Sequence, residues 1–368
     1  MSRCRVFVNH YDCISCAGEN ADVLFENICS GRSGIKTDVT YLEGKALGLG
    51  IVAGSKLEER LLAQVQSILD QSNLTDFSET LLVVGSSVGG MRQTEELYCK
   101  DHDFLRVKPT SHIIDVIART ITQRFAFHDD LSFSTACTSS ANALGYAYEV
   151  IAKGIYKNVL VVGFDTICKT TVGGFNALGV LSSVACRPFD KARDGMNVAE
   201  ASALLLLQDT KNTQSVEMFG VGYSSDAHHM TQPHPDGEGA FCAMQNALTC
   251  KGVSKEEITY INAHGTGTQA NDRSELTAID RLFGTRVHVS STKSVTGHTL
   301  GAAGALEAII AVKTLQEQIL PPTANLQDPE IEHLAYVRCA ENKEIRYVLS
   351  NSFAFGGNNT SLLFGRVQ

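Results

Sequence analysis

Ser134-Thr135-Ala136-Cys137-Thr138-Ser139-Ser140 is the stretch that decides how this chain reads. The apolar Leu131-Ser132-Phe133 precedes it, and an Ala-rich, helix-favouring stretch begins at Asn142. A strand, a tight turn and a helix in that order leave the Cys137 thiol exposed at the tip of a sheet, at the positive end of a helix. Both placements favour the thiolate and nucleophilic catalysis. A structural thiol would sit among apolar neighbours; Thr135, Thr138, Ser139 and Ser140 suit a pocket wall better. Far downstream, two histidines sit in small-residue loops, Ala263-His264-Gly265-Thr266-Gly267-Thr268 and Lys293-Ser294-Val295-Thr296-Gly297-His298. One activated thiol and two histidines are the parts of an acyl-transfer centre.

Outward from this turn, short apolar runs alternate with longer helical patterns, which predicts an α/β fold with largely parallel sheets. Strands are expected at Leu81–Val84, Val159–Val162, Ala203–Leu207, Val216–Val221, Ile258–Asn262, Val287–Ser290, Arg346–Leu349 and Ser361–Phe364. Helices are expected at Ser55–Leu69, Asn142–Ala152, Gly239–Thr249, Asp272–Phe283 and Gly304–Leu315. No linker rich in Pro, Gly or Ser divides the chain. The order of elements nevertheless looks similar on the two sides of about residue 212: a strand, a loop with a reactive side chain, then a helix. A diverged duplication, with residues 1–212 carrying Cys137 and residues 213–368 carrying the histidines, accounts for this.

The bulk numbers narrow the function. A 43% apolar and 19% charged composition is that of a globular protein with a sizeable core. A net charge of −9 argues against nucleic-acid binding. No apolar run reaches the ~18 residues of a membrane span, and Met1–Arg5 opens no secretory signal, so the cytoplasm is expected. Eleven scattered cysteines, an odd number, then read mostly as core thiols. Cys13 and Cys16 have the spacing of a metal pair but lack a second pair, and His228, His229 and His234 lie in a polar loop, so no metal is expected.

Several residues beside the histidines carry readings of their own. Gly265 and Gly267 let backbone approach a ligand, and Thr266 and Thr268 would face the same way in an extended loop. Glu307 falls in the helix that follows His298 and could pair with Lys293, either buried and orienting the loop or at the surface. Phe353 and Phe355 in Asn351-Ser352-Phe353-Ala354-Phe355-Gly356-Gly357-Asn358-Asn359 suggest a hinged loop that swings a ring into a pocket, or a plain turn before the last strand.

Together these motifs, in this order, closely resemble the elongating β-ketoacyl-acyl carrier protein synthases with a Cys-His-His site. The resemblance rests on Thr135–Ser139, Asn262–Thr266, Ser291–Ser294 with Gly297-His298, and Asn351–Gly357, with support from Arg187-Pro188-Phe189-Asp190 and Arg193-Asp194-Gly195. It implies a thiolase-like fold: duplicated βαβαβαββ halves in a five-layered αβαβα body, normally dimeric. It implies decarboxylative condensation of a malonyl group with an acyl chain on Cys137, with His264 and His298 as hydrogen-bond donors. It further implies an oxyanion hole from the backbone of Cys137 and Phe355, and Lys293 and Glu307 fixing the histidines. Thr266 and Thr268 would hold a pantetheine arm, with Phe353 and Phe355 at the substrate and Asp272 and Glu275 beneath the loop. No free cofactor is implied; substrates ride on the phosphopantetheine of an acyl carrier protein, and the second partner is another ketosynthase subunit, identical or related. Such a related subunit without its own activity, shaping an acyl tunnel as a chain-length factor does, is the alternative, although such subunits usually lack the Cys. A thiolase would need a second catalytic Cys in Asn351–Asn359, which has none. Ala354 in place of the family's usual Gly, Asn358 in place of Thr, Asp129-Asp130-Leu131 before the nucleophile and a short Gly89–Pro109 depart from the pattern and leave room for a specialised polyene or polyketide pathway. Arg119, Arg124 and Lys169 are candidates for docking an acidic carrier.

Overall fold

Thr80–Gly85 is buried at every position, and Asn158–Asp165 and Ala201–Gln208 at nearly every one. Strands covered on both faces read as continuous apolar runs, which is why these were legible without alternation. The computed structural model describes residues 4–367 apart from 55, 73, 75, 76 and 78. Among the described residues the main sheet has eleven strands. In chain order they are β1 (Val6–Ser15), β2 (Thr80–Gly85), β3 (Asp129–Phe133), β4 (Asn158–Asp165), β5 (Ala201–Gln208), β6 (Val216–Ser225), β7 (Ile258–Asn262), β8 (His288–Ser290), β9 (Ala335–Tyr336), β10 (Tyr347–Phe353) and β11 (Asn358–Arg366).

The spatial order is β9-β8-β7-β10-β11-β6-β1-β5-β4-β2-β3. In the first series β2 runs parallel to β3 and β4, and β5 antiparallel to β4 and β1. In the second, β7 runs parallel to β8 and β10, and β11 antiparallel to β10 and β6. Five strands of each series therefore share one order and one set of senses, and the second series adds β9 at its edge, parallel to β8. They meet where Val6–Val8 of β1 pairs antiparallel with Val216–Met218 of β6.

Helices fill the other layers. Leu61, Val65 and Ile68 of the helix Leu57–Ser72 pack on the outer face of the first series, against Leu82, Val84, Leu204 and Leu206. Glu238–Thr249 and Gln269–Phe283 cover the outer face of the second through Met244, Ala247, Leu276 and Ile279. Between the series lie Ser139–Ala152 and Ala303–Glu317, buried almost all round. Such helices show little amphipathic stripe, because both faces meet a sheet. They cross where a Cβ on Gly304 would lie 2.5 Å from Ala141 N, so only glycine allows the contact. The expected five-layered thiolase-like architecture is thus present, with the two sheets joined into one.

The strand β1 was not read from the sequence, because His10-Tyr11-Asp12 interrupts its apolar run at half-buried positions. The helix expected from Ser55 runs from Leu57 to Ser72, and Ser55 lies outside the described residues. Among the described residues no helix is long and apolar enough to cross a membrane.

Candidate active site

Five residues connect β3 to the helix Ser139–Ala152, three fewer than the expected start at Asn142 leaves. Within the turn Ala136 adopts φ +52°, a left-handed conformation costly for a residue with a Cβ. Hydroxyls hold it there. Thr138 Oγ1 donates to Thr135 O at 2.7 Å, Ser139 Oγ to Ala136 O at 2.6 Å, and Ser87 Oγ to Ala136 O at 2.7 Å. The small polar residues that suggested a pocket wall are the braces of the turn.

Cys137 differs from expectation in one respect. It is 8% exposed rather than open at the sheet tip, because loops of the second series close over it. Burial pushes its thiol up to about 11, against the Lys293 charge and hydrogen bonding from the Phe355 and Cys137 backbones. Burial outweighs the Lys293 charge and these hydrogen bonds, so the resting group is the thiol.

His264 follows β7. Glu275, on the helix Gln269–Phe283, accepts from His264 N at 2.9 Å, Gly265 N at 2.8 Å and Asn351 Nδ2 at 3.1 Å. One turn earlier Asp272 accepts from Gly267 N at 3.1 Å and Phe189 N at 2.8 Å. These carboxylates clamp the His264 loop from below. Burial raises both, Glu275 to about 7. His298 is held by its backbone, donating to Asn197 O at 2.7 Å and accepting from Ala199 N at 2.9 Å. The two imidazoles meet edge to face with centroids 5.3 Å apart. Lys293 Nζ lies 3.4 Å from His264 Nδ1 and forms a buried ion pair with Glu307. The Lys293–Glu307 pair is therefore the buried alternative, not the surface one. Burial, and then the Lys293 charge, hold both histidines well below their usual range, with His298 adding to the effect on His264. Both rings are neutral.

Cys137, His264 and His298 line one cavity of roughly 300 Å³ together with Thr266, Thr268, Phe353 and Phe355. The Thr266 and Thr268 hydroxyls are 2.9 Å apart, facing the same way as expected. Asp272, Glu275, Lys293 and Glu307 are buried but do not line the cavity. The loop between β10 and β11 is closed by Ala354 N to Asn358 O at 2.8 Å and latched by Gly356 N to Met230 O at 2.8 Å, with Phe355 resting on Phe175 at 6.0 Å.

Sequence reasoning missed Phe175 and Leu178, which line the cavity from the helix Lys169–Ala177 and the residue after it. That helix, Lys-Thr-Thr-Val-Gly-Gly-Phe-Asn-Ala, carries two glycines and no apolar period. His229, read as part of a polar loop, also lines the cavity. Lys169 opens the helix whose Phe175 lines the cavity but is not itself a lining residue, whereas Arg119 bonds Thr110 O and Asp115, and its helix contributes nothing to the cavity. Cys13 is buried in the core and Cys16 Sγ donates to Thr296 O at 3.3 Å. Among the described residues no three His, Cys, Asp or Glu side chains gather in a metal-binding group.

Comparison with known proteins accords with this geometry. Residues 55–212 match the model for the β-ketoacyl synthase N-terminal domain, and residues 216–327 that for the β-ketoacyl synthase C-terminal domain. The 3-oxoacyl-[acyl-carrier-protein] synthase 2 of Vibrio cholerae is 34% identical over 425 aligned residues, covering 100% of both chains. A chain in the complex of the ketosynthase ApeO with its chain length factor ApeC, from Xenorhabdus doucetiae, superposes with a TM-score of 0.91 at 32% identity, covering 99% of this chain and 98% of that one. A type II polyketide ketosynthase bound to its acyl-carrier protein, AntDE:AntF, gives a TM-score of 0.89 at 25% identity, covering 99% of this chain and 100% of that one. With the matched halves meeting on a buried Cys-His-His cavity, the chain belongs to the β-ketoacyl synthase family of condensing enzymes.

Proposed function

We propose that this chain catalyses decarboxylative condensation of malonyl-carrier protein with an acyl chain held on Cys137. The observation that carries it is the single cavity on which the Cys137 thiol and the His264 and His298 imidazoles converge. In the first half-reaction Cys137 sulfur attacks the thioester carbonyl of an acyl-carrier protein. Its proton passes to an imidazole of the same cavity and then to the departing pantetheine sulfur. The tetrahedral oxyanion is held by the N–H groups of Cys137 and Phe355; loss of one such donor typically costs about 10²–10³ in rate.

In the second half-reaction a malonyl thioester enters, and His264 and His298 each donate an N–H to its carbonyl oxygen. Neutral rings suit this, since each carries one N–H and needs no counter-charge. The bond to the malonyl carboxylate breaks, carbon dioxide leaves and the electron pair becomes an enolate. Its carbon attacks the acyl-Cys carbonyl and the C–S bond breaks. A β-ketoacyl chain two carbons longer departs on the carrier, and the Cys137 thiolate takes up a proton from solvent to restore the resting thiol. Lys293 and Glu307 fix His264, Thr266 and Thr268 hold the pantetheine arm, and Asp272 and Glu275 hold the loop that bears them.

The shared strand order of the two series supports reading residues 1–212 and 213–368 as duplicated halves, each supplying part of the site. The solved relatives assembled with a chain length factor and with a carrier protein support the same kinds of partner here: an acidic carrier and a second ketosynthase subunit, identical or related. Eleven free thiols suit a reducing compartment such as the cytoplasm. A chain-length-factor role would not need Cys137, His264, His298 and Lys293 together. The test is carbon dioxide release from malonyl-carrier protein with and without an acyl donor. Acyl-dependent release that His264→Ala and His298→Ala each abolish is expected; release indifferent to both variants would refute the reading.

A further inference from the structure

Asp165 ends β4, wholly buried, with no cation paired to it among the described residues. Four neutral groups donate to it instead: Ser86 Oγ at 2.6 Å, Val88 N at 2.9 Å, Ser87 N at 2.9 Å and Gly301 N at 2.6 Å. A carboxylate satisfied by donors alone retains its charge even when buried, and here burial raises it only to about 6.

What those donors belong to gives the carboxylate its meaning. Ser87 Oγ donates onward to Ala136 O, the carbonyl before Cys137. Gly301 follows Leu300, two residues beyond His298, and Leu300 has φ +54°. Ala136 and Leu300 are both non-glycine residues held in the left-handed region, one against the nucleophile and one against the second histidine. Each lies one hydrogen bond or one peptide from a group bonded to Asp165. The approach is tight as well: a Cβ on Gly301 would sit 2.6 Å from Ser87 N and 2.7 Å from Asp165 Oδ2, so no other residue lets the two turns share the carboxylate.

We propose that Asp165 is a positioning residue that, through Ser87 and Gly301, clamps the turn bearing Cys137 to the turn behind His298 and so sets the nucleophile against the histidine. This rests on the reading of Cys137 as the acylated residue. The Asp165 charge itself works against the Cys137 thiolate, so its contribution is geometric rather than activating. The pantetheine-binding threonines sit on another loop, held by Asp272 and Glu275, and do not depend on the clamp. The effect should therefore fall on turnover and spare carrier affinity.

The experiment is single-turnover acylation of the purified full chain by acyl-carrier protein at several carrier concentrations, in wild type, Asp165→Asn, Ser87→Ala and the double variant. Active sites are counted on folded protein. We expect Asp165→Asn to lower the limiting rate about 10- to 100-fold, with half-saturation within about twofold of wild type. Ser87→Ala, at a half-buried position that tolerates the change, should move in the same direction by less. The double variant should be no slower than Asp165→Asn alone, because both act on one network. Folded Asp165→Asn with the wild-type rate, or Ser87→Ala with the wild-type rate, would overturn the proposal. If Asp165→Asn does not fold, Ser87→Ala decides alone. A wild type that never acylates would overturn the reading of the site and the proposal with it, whereas a wild type that acylates while its variants match it overturns the proposal only.

Discussion

Lys293 Nζ lies 3.4 Å from Nδ1 of His264 while its charge is paired with Glu307 in the interior. An ammonium can only donate, so Nδ1 accepts and the ring proton of the neutral His264 sits on Nε2. The buried pair thus fixes which face of the imidazole carries the N–H. Lys293→Met should slow malonyl decarboxylation at least tenfold. It should also cost about 3–5 kcal/mol of stability, because Glu307 is left as an uncompensated buried charge. Adding Glu307→Gln should recover most of the stability and little of the rate. Denaturant titration and carbon dioxide release, measured on the same samples, separate the two effects.

Both histidines are held well below their usual range by burial first. Ring NMR of labelled protein should therefore show neither titrating near pH 6.5. The linkage has a definite sign: below about pH 6.5 the unfolded chain takes up protons that the folded chain refuses. Stability should fall as pH drops below that value, and His298→Gln should flatten the fall. A titration near 6.5 in the folded protein would show the rings to be solvated.

With its thiol pushed up to about 11, Cys137 should react with iodoacetamide about tenfold faster for each pH unit from 7 to 9, without a plateau. Lys293→Met removes a charge that lowers this value and should slow alkylation at every pH in that range. A plateau below pH 8 in wild type would mean a thiolate stabilised more strongly than burial permits.

Thr266→Val and Thr268→Val keep side-chain shape and remove one hydroxyl each from the pair at the cavity wall. Loss of a ligand hydrogen bond worth about 0.5–1.5 kcal/mol should raise KM for carrier-bound substrate about 2- to 10-fold, leaving kcat nearly unchanged. Steady-state kinetics with acyl-carrier protein measures both.

The reach of the sequence varied with the kind of residue. Cys137, His264 and His298 stood out because each sits in a run of small residues after an apolar strand. The buried strands β2, β4 and β5 were visible as unbroken apolar runs. β1 was not, since His10-Tyr11-Asp12 crosses a half-buried segment. The state of Cys137 was misread, because exposure depends on loops more than a hundred residues away that close over it. Phe175 was out of reach for a similar reason: its role comes from resting on Phe355, and its own helix carries no period that points to a cavity. Asp165 looks in sequence like the polar end of a strand, and only the fold brings Ser87 and Gly301 to it.

Intact-mass analysis of wild type and Cys137→Ala, given acyl-carrier protein and then malonyl-carrier protein, tests the central claim most directly. The account predicts an acyl adduct on wild type alone, followed by its loss as a β-ketoacyl carrier two carbons longer appears. An adduct that persists in Cys137→Ala, or elongation without one, would contradict it.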